Sequence, residues 1–239
     1  MTVATGAIGL LLAVTLCALV HVAVMAFAGR ALGVALDELS FGLGPRLLRL
    51  GKVSIRLLPV GGAVRFQTAG ATMPADDTSA ADDAMTTGGA DIDPQHLEAQ
   101  PLWARLFIGA SGCLALIALA CALLGGTAGI QALAHGFANI VSGALSPLHT
   151  AQALLARVVG AAHGLPFPTL LGLTAATTAA MNLLPLPGAN GGYLLGALGR
   201  SAGLGKHWPA SLSQILLLAY VALAASWLVA AVVYLSNGV

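Results

Sequence analysis

Charged residues are scarce in this sequence. Only 8% of the 239 residues are Asp, Glu, Lys or Arg, whereas 58% are hydrophobic. Soluble domains carry about 25% charged residues, so this composition excludes an ordinary soluble protein. The formal net charge is +1, and basic residues cluster in one loop only, which gives no basis for nucleic-acid binding. We therefore expect an integral membrane protein.

Cysteine is also scarce, and its placement excludes a disulfide framework. Cys17, Cys113 and Cys121 all fall inside apolar stretches. Two of them share one predicted helix and cannot approach each other closely enough for a bridge. We interpret all three as small apolar residues.

Acidic residues are missing from the long apolar stretches. Crossing a hydrocarbon core takes about 20 apolar residues in a helix. Four stretches reach that length without an Asp or Glu: Ala7–Ala28, Leu102–Leu124, Phe167–Leu186 and Leu212–Leu235. The first lacks a preceding basic residue and a cleavage pattern, so we interpret it as a span and not a signal peptide. The sequence predicts an α-helical membrane protein with about four transmembrane helices.

The distribution of basic residues predicts the orientation. Six lie between the first two stretches and two between the last two, against one, Arg157, between the second and third. The positive-inside rule then places the first and third connections in the cytoplasm and both termini outside. The residues are Arg30, Arg46, Arg49, Lys52, Arg56 and Arg65, followed by Arg200 and Lys206.

The connection after the first stretch changes character along its length. Apolar and basic residues alternate over Lys52–Leu57, with turns marked by Gly51 and by residues 59–62, which predicts a small β-hairpin or sheet element. Residues 1–68 would thus combine the first helix with a membrane-associated hairpin. Residues 69–98 hold seven of the nine acids and predict a flexible acidic linker. Residues 99–239 would form the transmembrane core, with interfacial helices near 130–160 broken at Pro147.

Two motifs far apart in the chain look like halves of one site. Val20-His21-Val22-Ala-Val-Met25 resembles an altered H-E-x-x-H, and the stretch from Asn182 to Gly192 resembles an altered N-x-x-P-x-P-x-x-D-G. Between them, in order, lie Leu58-Pro59-Val-Gly61-Gly62 and Gly109-Ala-Ser-Gly112. Together these motifs resemble the site-2 protease family of intramembrane zinc metalloproteases.

The resemblance implies a zinc site that this sequence has altered. In the family, two histidines one helical turn apart and a carboxylate hold zinc, and a glutamate acts as the base. Here His21 is the only ligand-type residue retained, because Val22, Met25 and Asn190 occupy the other three positions. Thioether and amide groups are poor zinc ligands, so we predict no catalytic residue and no cofactor.

The parts that would hold a substrate are better retained than the chemistry. In the family, the hairpin edge and the Asn-x-x-Pro loop hold an unwound transmembrane segment by strand addition. The matching substrate-binding residues are Pro59, Gly61, Gly62, Asn182, Pro185 and Pro187. We predict a multi-pass pseudoprotease of the bacterial inner (cytoplasmic) membrane that binds a transmembrane protein segment or a membrane-complex subunit. A catalytically active metalloprotease with non-standard ligands is the alternative.

Two further hypotheses use other residues. Cys17, His21 and Met25 are spaced four apart on one helix and offer soft ligands that suit Cu(I). Gly109-Ala-Ser111-Gly112 and His135-x-x-x-Asn139 resemble the nucleophile and base motifs of rhomboid serine proteases, although in reversed order. The simpler interpretation is that these residues only pack between helices.

Overall fold

Helices dominate the computed structural model, which describes residues 3–67, 95–203 and 210–237. The described part contains seven α-helices and two long strands, with a 3-10 turn at Leu97–Ala99. In chain order these are α1 (Val3–Ala31), β1 (Leu36–Leu50), β2 (Val53–Phe66), α2 (Leu102–Leu124), α3 (Gly126–Leu145), α4 (Thr150–Gly164), α5 (Phe167–Leu183), α6 (Asn190–Ser201) and α7 (Ala210–Ser236).

Three helices in the described residues are long and apolar enough to cross a membrane. They are the segments Gly6–Ala31, Leu102–Leu124 and Gln214–Ser236 of α1, α2 and α7. The predicted third span corresponds to α5, which has 17 residues. At about 1.5 Å per residue it is roughly 25 Å long, shorter than a hydrocarbon core of about 30 Å. The prediction of four transmembrane helices is therefore not confirmed.

Helix α5 lies at the centre of the bundle, where it contacts α1, α2, α3 and α6. Its buried face is made of alanines, and Ala175, Ala176 and Ala179 are fully buried. These small side chains pack with Cys17, Leu116 and Ala120 in one apolar cluster. Small residues allow helix backbones to approach closely, so α1 and α2 can both pack against α5.

The predicted strand element is present and forms more than a simple hairpin. The turn at Gly51 is confirmed, and Gly51 has a φ of +58°. The predicted turn at residues 59–62 is wrong, because these residues lie within β2. The strand bends there at Gly61, which has a φ of +77° that favours glycine. Before the bend, residues 53–55 of β2 lie on one side of residues 39–41 of β1. After the bend, residues 62–66 of β2 lie on the other side of residues 36–41.

The register divides the two strands into four paired segments. Residues 36–41 pair with 62–66 on one side and meet 53–55 on the other, while 53–58 also pair with 43–50. The order across the sheet is therefore 62–66, 36–41, 53–58 and 46–50. Segment 62–66 forms one border of the sheet and packs next to α1.

Glu38 joins all four segments of this sheet. Its carboxylate accepts a hydrogen bond from Ser54 at 2.8 Å, and it lies 3.5 Å from Arg46 and 3.7 Å from Arg65. Each of these partners belongs to a different segment. The Ser54 hydrogen bond, followed by the charges of Arg46 and Arg65, holds the pKa of Glu38 below its ordinary value.

Helices α3, α4 and α7 form a peripheral group. The break between α3 and α4 at residues 146–149 confirms the helix break predicted near Pro147. Trp227 of α7 donates to Ile140 O at 3.1 Å, and Gln152 of α4 donates to Ala230 O at 3.0 Å. Most of α7 is exposed, as expected for a helix whose outer face contacts lipid.

The acidic connection before α2 is described only at its end. The acidic segment 69–98 lies outside the described residues except for 95–98, where Gln95 O accepts from Ala35 N and Leu97 N donates to Gln67 O, both at 3.0 Å.

Helix α6, which follows Pro187, was not anticipated from the sequence. It packs on α2 and α5, and so brings the second motif back to the first.

Candidate functional site

The two motifs identified in the sequence are in direct contact. Asn190, the first residue of α6, donates from Nδ2 to the Sδ atom of Met25 at 3.3 Å, across a separation of 165 residues. The same amide donates to the carbonyl oxygen of Gly109 on α2 at 2.6 Å. We call Asn190, Met25 and Gly109 the Asn190 clamp. It ties α1, α2 and α6 together at one point.

His21 lies one helical turn before Met25 and is 5% exposed. Its ring packs against α2 at Gly112, where an added methyl group would lie 2.6 Å from Nδ1. The Gly112 backbone and the Asn190 side chain are its polar neighbours. The Nδ1 atom itself has no hydrogen-bond partner within the described residues. The imidazole is therefore a buried polar group that the surrounding protein satisfies only in part.

Val22 occupies the position where the resembled family has its base. It is 3% exposed, and its Cγ2 atom lies 2.8 Å from the place where a methyl group on Gly62 would stand. Gly62 thus allows the border of the sheet to pack directly on α1. At this position the chain has an apolar packing contact and no group that could take a proton.

Glycines allow α6 to approach the clamp. The ring of Tyr193 lies over Gly109, where a methyl group would stand 2.7 Å from the ring. At the start of α6, side chains on Gly191 or Gly192 would collide with the carbonyl oxygens of Leu183 and Leu186. The Gly-Gly after Asn190 is therefore required for the tight return of the chain from α5 to α6.

The donors at this centre do not fit zinc. Zinc in proteins takes three or four imidazole, thiolate or carboxylate ligands. Of the four positions, His21 supplies one imidazole, while the Asn190 amide already donates to Met25 and Gly109. Across the ranges that the structure describes, no group of three or more His, Cys, Asp or Glu side chains could hold a metal ion.

The three soft ligands considered for copper do not converge. Cys17 and Met25 are eight residues apart on α1, about 12 Å along the helix axis. Cys17 is fully buried in the alanine-rich cluster, whereas Met25 packs against a different cluster that contains Phe66 and Ile108. The four-residue spacing therefore reflects one buried helix face.

The residues of the serine-protease hypothesis have other surroundings. The hydroxyl of Ser111 donates to Ile108 O of its own helix at 2.8 Å. His135 and Asn139 of α3 line a cavity of about 300 Å³ together with Gln131 and Thr177, and Ser111 is not part of its lining. Ser111 and Gly112 instead help α2 pack closely against its neighbours.

Three of the predicted binding residues share a cavity with His21. This cavity, of about 340 Å³, lies between α1, the bend of β2 and the last turns of α5, and we call it the Asn182 cavity. Asn182 donates from Nδ2 to Thr178 O of its own helix at 2.9 Å. The lining comprises Val14, Ala18, His21, Val22, Gly61, Gly62, Thr177, Thr178, Met181 and Asn182.

The three predicted proline positions are not part of this lining. Pro185 is exposed between α5 and α6, and Pro187 lines a second cavity, which the Asn190 clamp residues also line. Pro59 lies in β2, and its side chain is outside the described residues. The Asn182 cavity therefore involves Gly61, Gly62 and Asn182 without the prolines.

Comparison with known proteins covers nearly the whole chain. The sequence model of peptidase family M50 matches residues 7–227. That range includes both motifs, the four-segment sheet and the glycines of α2. No individual curated protein matches the chain.

Proposed function

The chain belongs to peptidase family M50, the site-2 protease family, and we propose that it is a pseudoprotease which binds a membrane partner without cleaving it. The family and the three apolar helices indicate a membrane location. The observation that carries the proposal is the Asn190 clamp, in which the residues at two former metal-ligand positions bond to each other. Our proposal includes the bacterial inner membrane, with both termini outside.

The clamp argues against hydrolysis because it fills the place of the chemistry with internal contacts. An amide that donates to Gly109 O stabilises the packing of α6 on α2. Val22 places an apolar side chain against Gly62 where a general base would be needed. A water molecule there would have neither a metal nor a carboxylate to activate it.

The Asn182 cavity argues for binding because it leaves room beside a sheet border. In the register of the described residues, segment 62–66 pairs on one side only, with 36–41. A strand border presents backbone N–H and C=O groups that an extended segment can pair with. Gly61 and Gly62 carry no side chain to obstruct it, and Asn182 lies across the cavity. A transmembrane segment that unwinds locally fits this arrangement.

Site-directed crosslinking tests the binding. A photo-reactive amino acid at Met181, which lines the cavity and is 50% exposed, should capture a specific membrane protein in native cells. The matched control is Ile215 on α7, which is 60% exposed and distant in sequence from the cavity. Capture of one discrete partner from Met181 only supports the proposal. Equal capture from both positions, or from neither, contradicts it.

An active metalloprotease is the second candidate. The observation in its favour is His21, whose Nδ1 atom has no hydrogen-bond partner within the described residues and which lines the Asn182 cavity. Its signature is cleavage of the captured partner that stops on His21→Ala and on addition of a zinc chelator. We expect no cleavage by the native chain, with or without added zinc. Chelator-sensitive cleavage would overturn the pseudoprotease proposal.

Restoring the residues that the family has at these positions tests whether the present side chains alone prevent zinc binding. The triple variant Val22→Glu, Met25→His, Asn190→Asp supplies two imidazoles, one carboxylate ligand and a base at the family's positions. We expect about one zinc ion per chain in the triple variant by elemental analysis. Asn190→Asp alone is the control and should bind none. Absence of zinc from a folded triple variant would show that the backbone has also diverged.

A further inference from the structure

A second cavity is lined by all three residues of the Asn190 clamp, together with neighbouring apolar side chains. It has a volume of about 530 Å³, within the range of small-molecule sites, and its walls are mainly apolar. The lining includes Met25, Val64, Phe66, Leu97, Ile108 and Tyr193, and we call it the Tyr193 cavity. It lies where α1 nears its end at Ala31 and α2 begins at Leu102. The end of one span and the start of the next belong to one membrane face, at the depth of lipid headgroups.

Among the described residues, the cavity lining contains one buried polar atom without a hydrogen-bond partner, Tyr193 Oη. Two more such atoms, Arg105 Nε and His96 Nδ1, belong to residues close in sequence to the lining. Arg105 lies one turn before Gly109, the residue over which the Tyr193 ring packs. His96 directly precedes Leu97, which lines the cavity. Because buried polar groups are nearly always hydrogen-bonded, these atoms require a partner that the described residues do not supply.

The chemistry of these atoms defines what they would bind. The Nε–H of arginine can only donate a hydrogen bond. Burial raises the pKa of Tyr193, so the phenol keeps its proton and donates as well. The complementary group is a hydrogen-bond acceptor.

The local charges favour an anionic acceptor. Arg105 and Arg200 both act electrostatically on Tyr193, and Glu98 is the acid that opposes them. Arg65 also lines the cavity, where its charge is shared with Glu38 at 3.7 Å. Around the hydroxyl, two cations therefore outweigh one anion.

We propose that the Tyr193 cavity binds an anionic lipid, with an acyl chain among the apolar residues and a headgroup oxygen accepting from Tyr193 and Arg105. Apolar walls with a few convergent donors at one end match an amphiphile. A carboxylate or a phosphate would satisfy the same donors. This site is separate from the Asn182 cavity and does not depend on the pseudoprotease proposal.

Thermal unfolding of the purified full chain in non-ionic detergent tests this site. Oleate and oleoyl lysophosphatidate are the anionic probes, and they distinguish a carboxylate from a phosphate headgroup. Oleyl alcohol has the same chain without a charge. We expect one or both anionic probes to raise the Tm by about 3 °C or more in a saturable manner, and the alcohol to have little effect.

Single-atom variants identify the site. Tyr193→Phe removes only the hydroxyl and should weaken the anionic probe about tenfold while the probe-free Tm stays unchanged or rises. Tyr220→Phe on α7, where Tyr220 is 41% exposed, is the control and should leave probe affinity unchanged. Arg105→Gln should weaken binding further, with partial rescue in Arg105→Lys. An equal shift with oleyl alcohol, or unchanged affinity in Tyr193→Phe, would overturn the proposal.

Discussion

Asn190 and Asn182 belong to the same sequence motif but are used in different ways in the folded protein. The Asn190 amide is directed inward and bonded to Met25 and Gly109, which lie on two other helices. The Asn182 amide bonds within its own helix, and the residue borders an open cavity. At the Asn190 clamp the side chains bond to one another, whereas beside Asn182 the chain leaves a cavity of about 340 Å³. In the proposed function, the half of the site around Asn190 is structural and the half around Asn182 binds a partner.

The amide at position 190 suits this structural role better than a carboxylate would. An ionised aspartate has acceptors only, so it could not donate to the carbonyl oxygen of Gly109. Asparagine supplies a donor that adds an interhelical hydrogen bond to this helix carbonyl. The asparagine at the position of the family's acidic ligand thus makes a direct contact between α6 and α2.

Enlarging Gly112 should have the largest effect, because it disrupts both halves. A side chain there would collide with the ring and the carbonyl oxygen of His21 and force α1 away from α2. We expect Gly112→Val to lower the free energy of unfolding by about 3 kcal/mol. Gly160→Ala is the matched control, since a methyl group there meets no atom within 4 Å and should be neutral or slightly stabilising. Thermal unfolding in detergent measures both, and equal effects would contradict the packing described here.

Removing the Asn190 side chain should destabilise the protein less than Gly112→Val and should leave the Asn182 cavity intact. Asn190→Ala removes an interhelical hydrogen bond to Gly109 O and the contact with Met25, at a cost of about 1 kcal/mol. Asn190→Asp should be at least as damaging, because it places an anion against that carbonyl. In both variants, capture of a partner from Met181 should persist under conditions where the chain stays folded. Loss of capture with full stability would show that Asn190 belongs to the binding site.

The sequence predicted local elements well and long-range pairing less well. The helix break near Pro147 and the turn at Gly51 follow from residues that act within a few positions. The fold of β2 back around β1 does not, because it depends on which segment supplies the hydrogen bonds of residues 36–41. The same applies to α5, whose apolar sequence suggests a span and whose 17 residues lie at the centre of the bundle. A central helix and a membrane span have similar composition.

The candidate site was predictable in its members but not in its contacts. The order of the motifs indicated that Gly61, Gly62, Asn182 and His21 belong together, and they share one cavity. The acceptor of Asn190 is a backbone carbonyl, which no side-chain pattern can identify. The spacing of Gly109 and Gly112 was the available signal, since glycines three apart on one helix allow two close contacts. Tyr193 carried no sequence signal, because its importance depends on what lies over Gly109.

Glu38 tests whether the sheet holds the binding half in place. Its pKa is held below the ordinary value in the folded state, so its contribution is present at neutral pH and is lost as the pH falls through that lowered value. Glu38→Gln should therefore destabilise the chain by on the order of 1 kcal/mol at pH 7. The difference from wild type should shrink as the pH falls below the ordinary pKa of a glutamate and through the lowered pKa of Glu38. Asp37→Asn, at the exposed neighbouring acid, is the control. A pH-independent difference would contradict a role for the charge.

Asn182→Ala should have the smallest effect on stability and a large effect on binding. Its hydrogen bond to Thr178 O lies within one helix turn, and that carbonyl is already part of the helix, so we expect a change of about 0.5 kcal/mol or less. Capture from Met181 should fall about tenfold, the effect of one lost hydrogen bond to a partner. Asn190→Ala should show the reverse pattern, with lower stability and unchanged capture. Asn182→Ala would then impair binding but not stability, and Asn190→Ala would impair stability but not binding. If both variants moved stability and capture together, the division into a structural half and a binding half would be wrong.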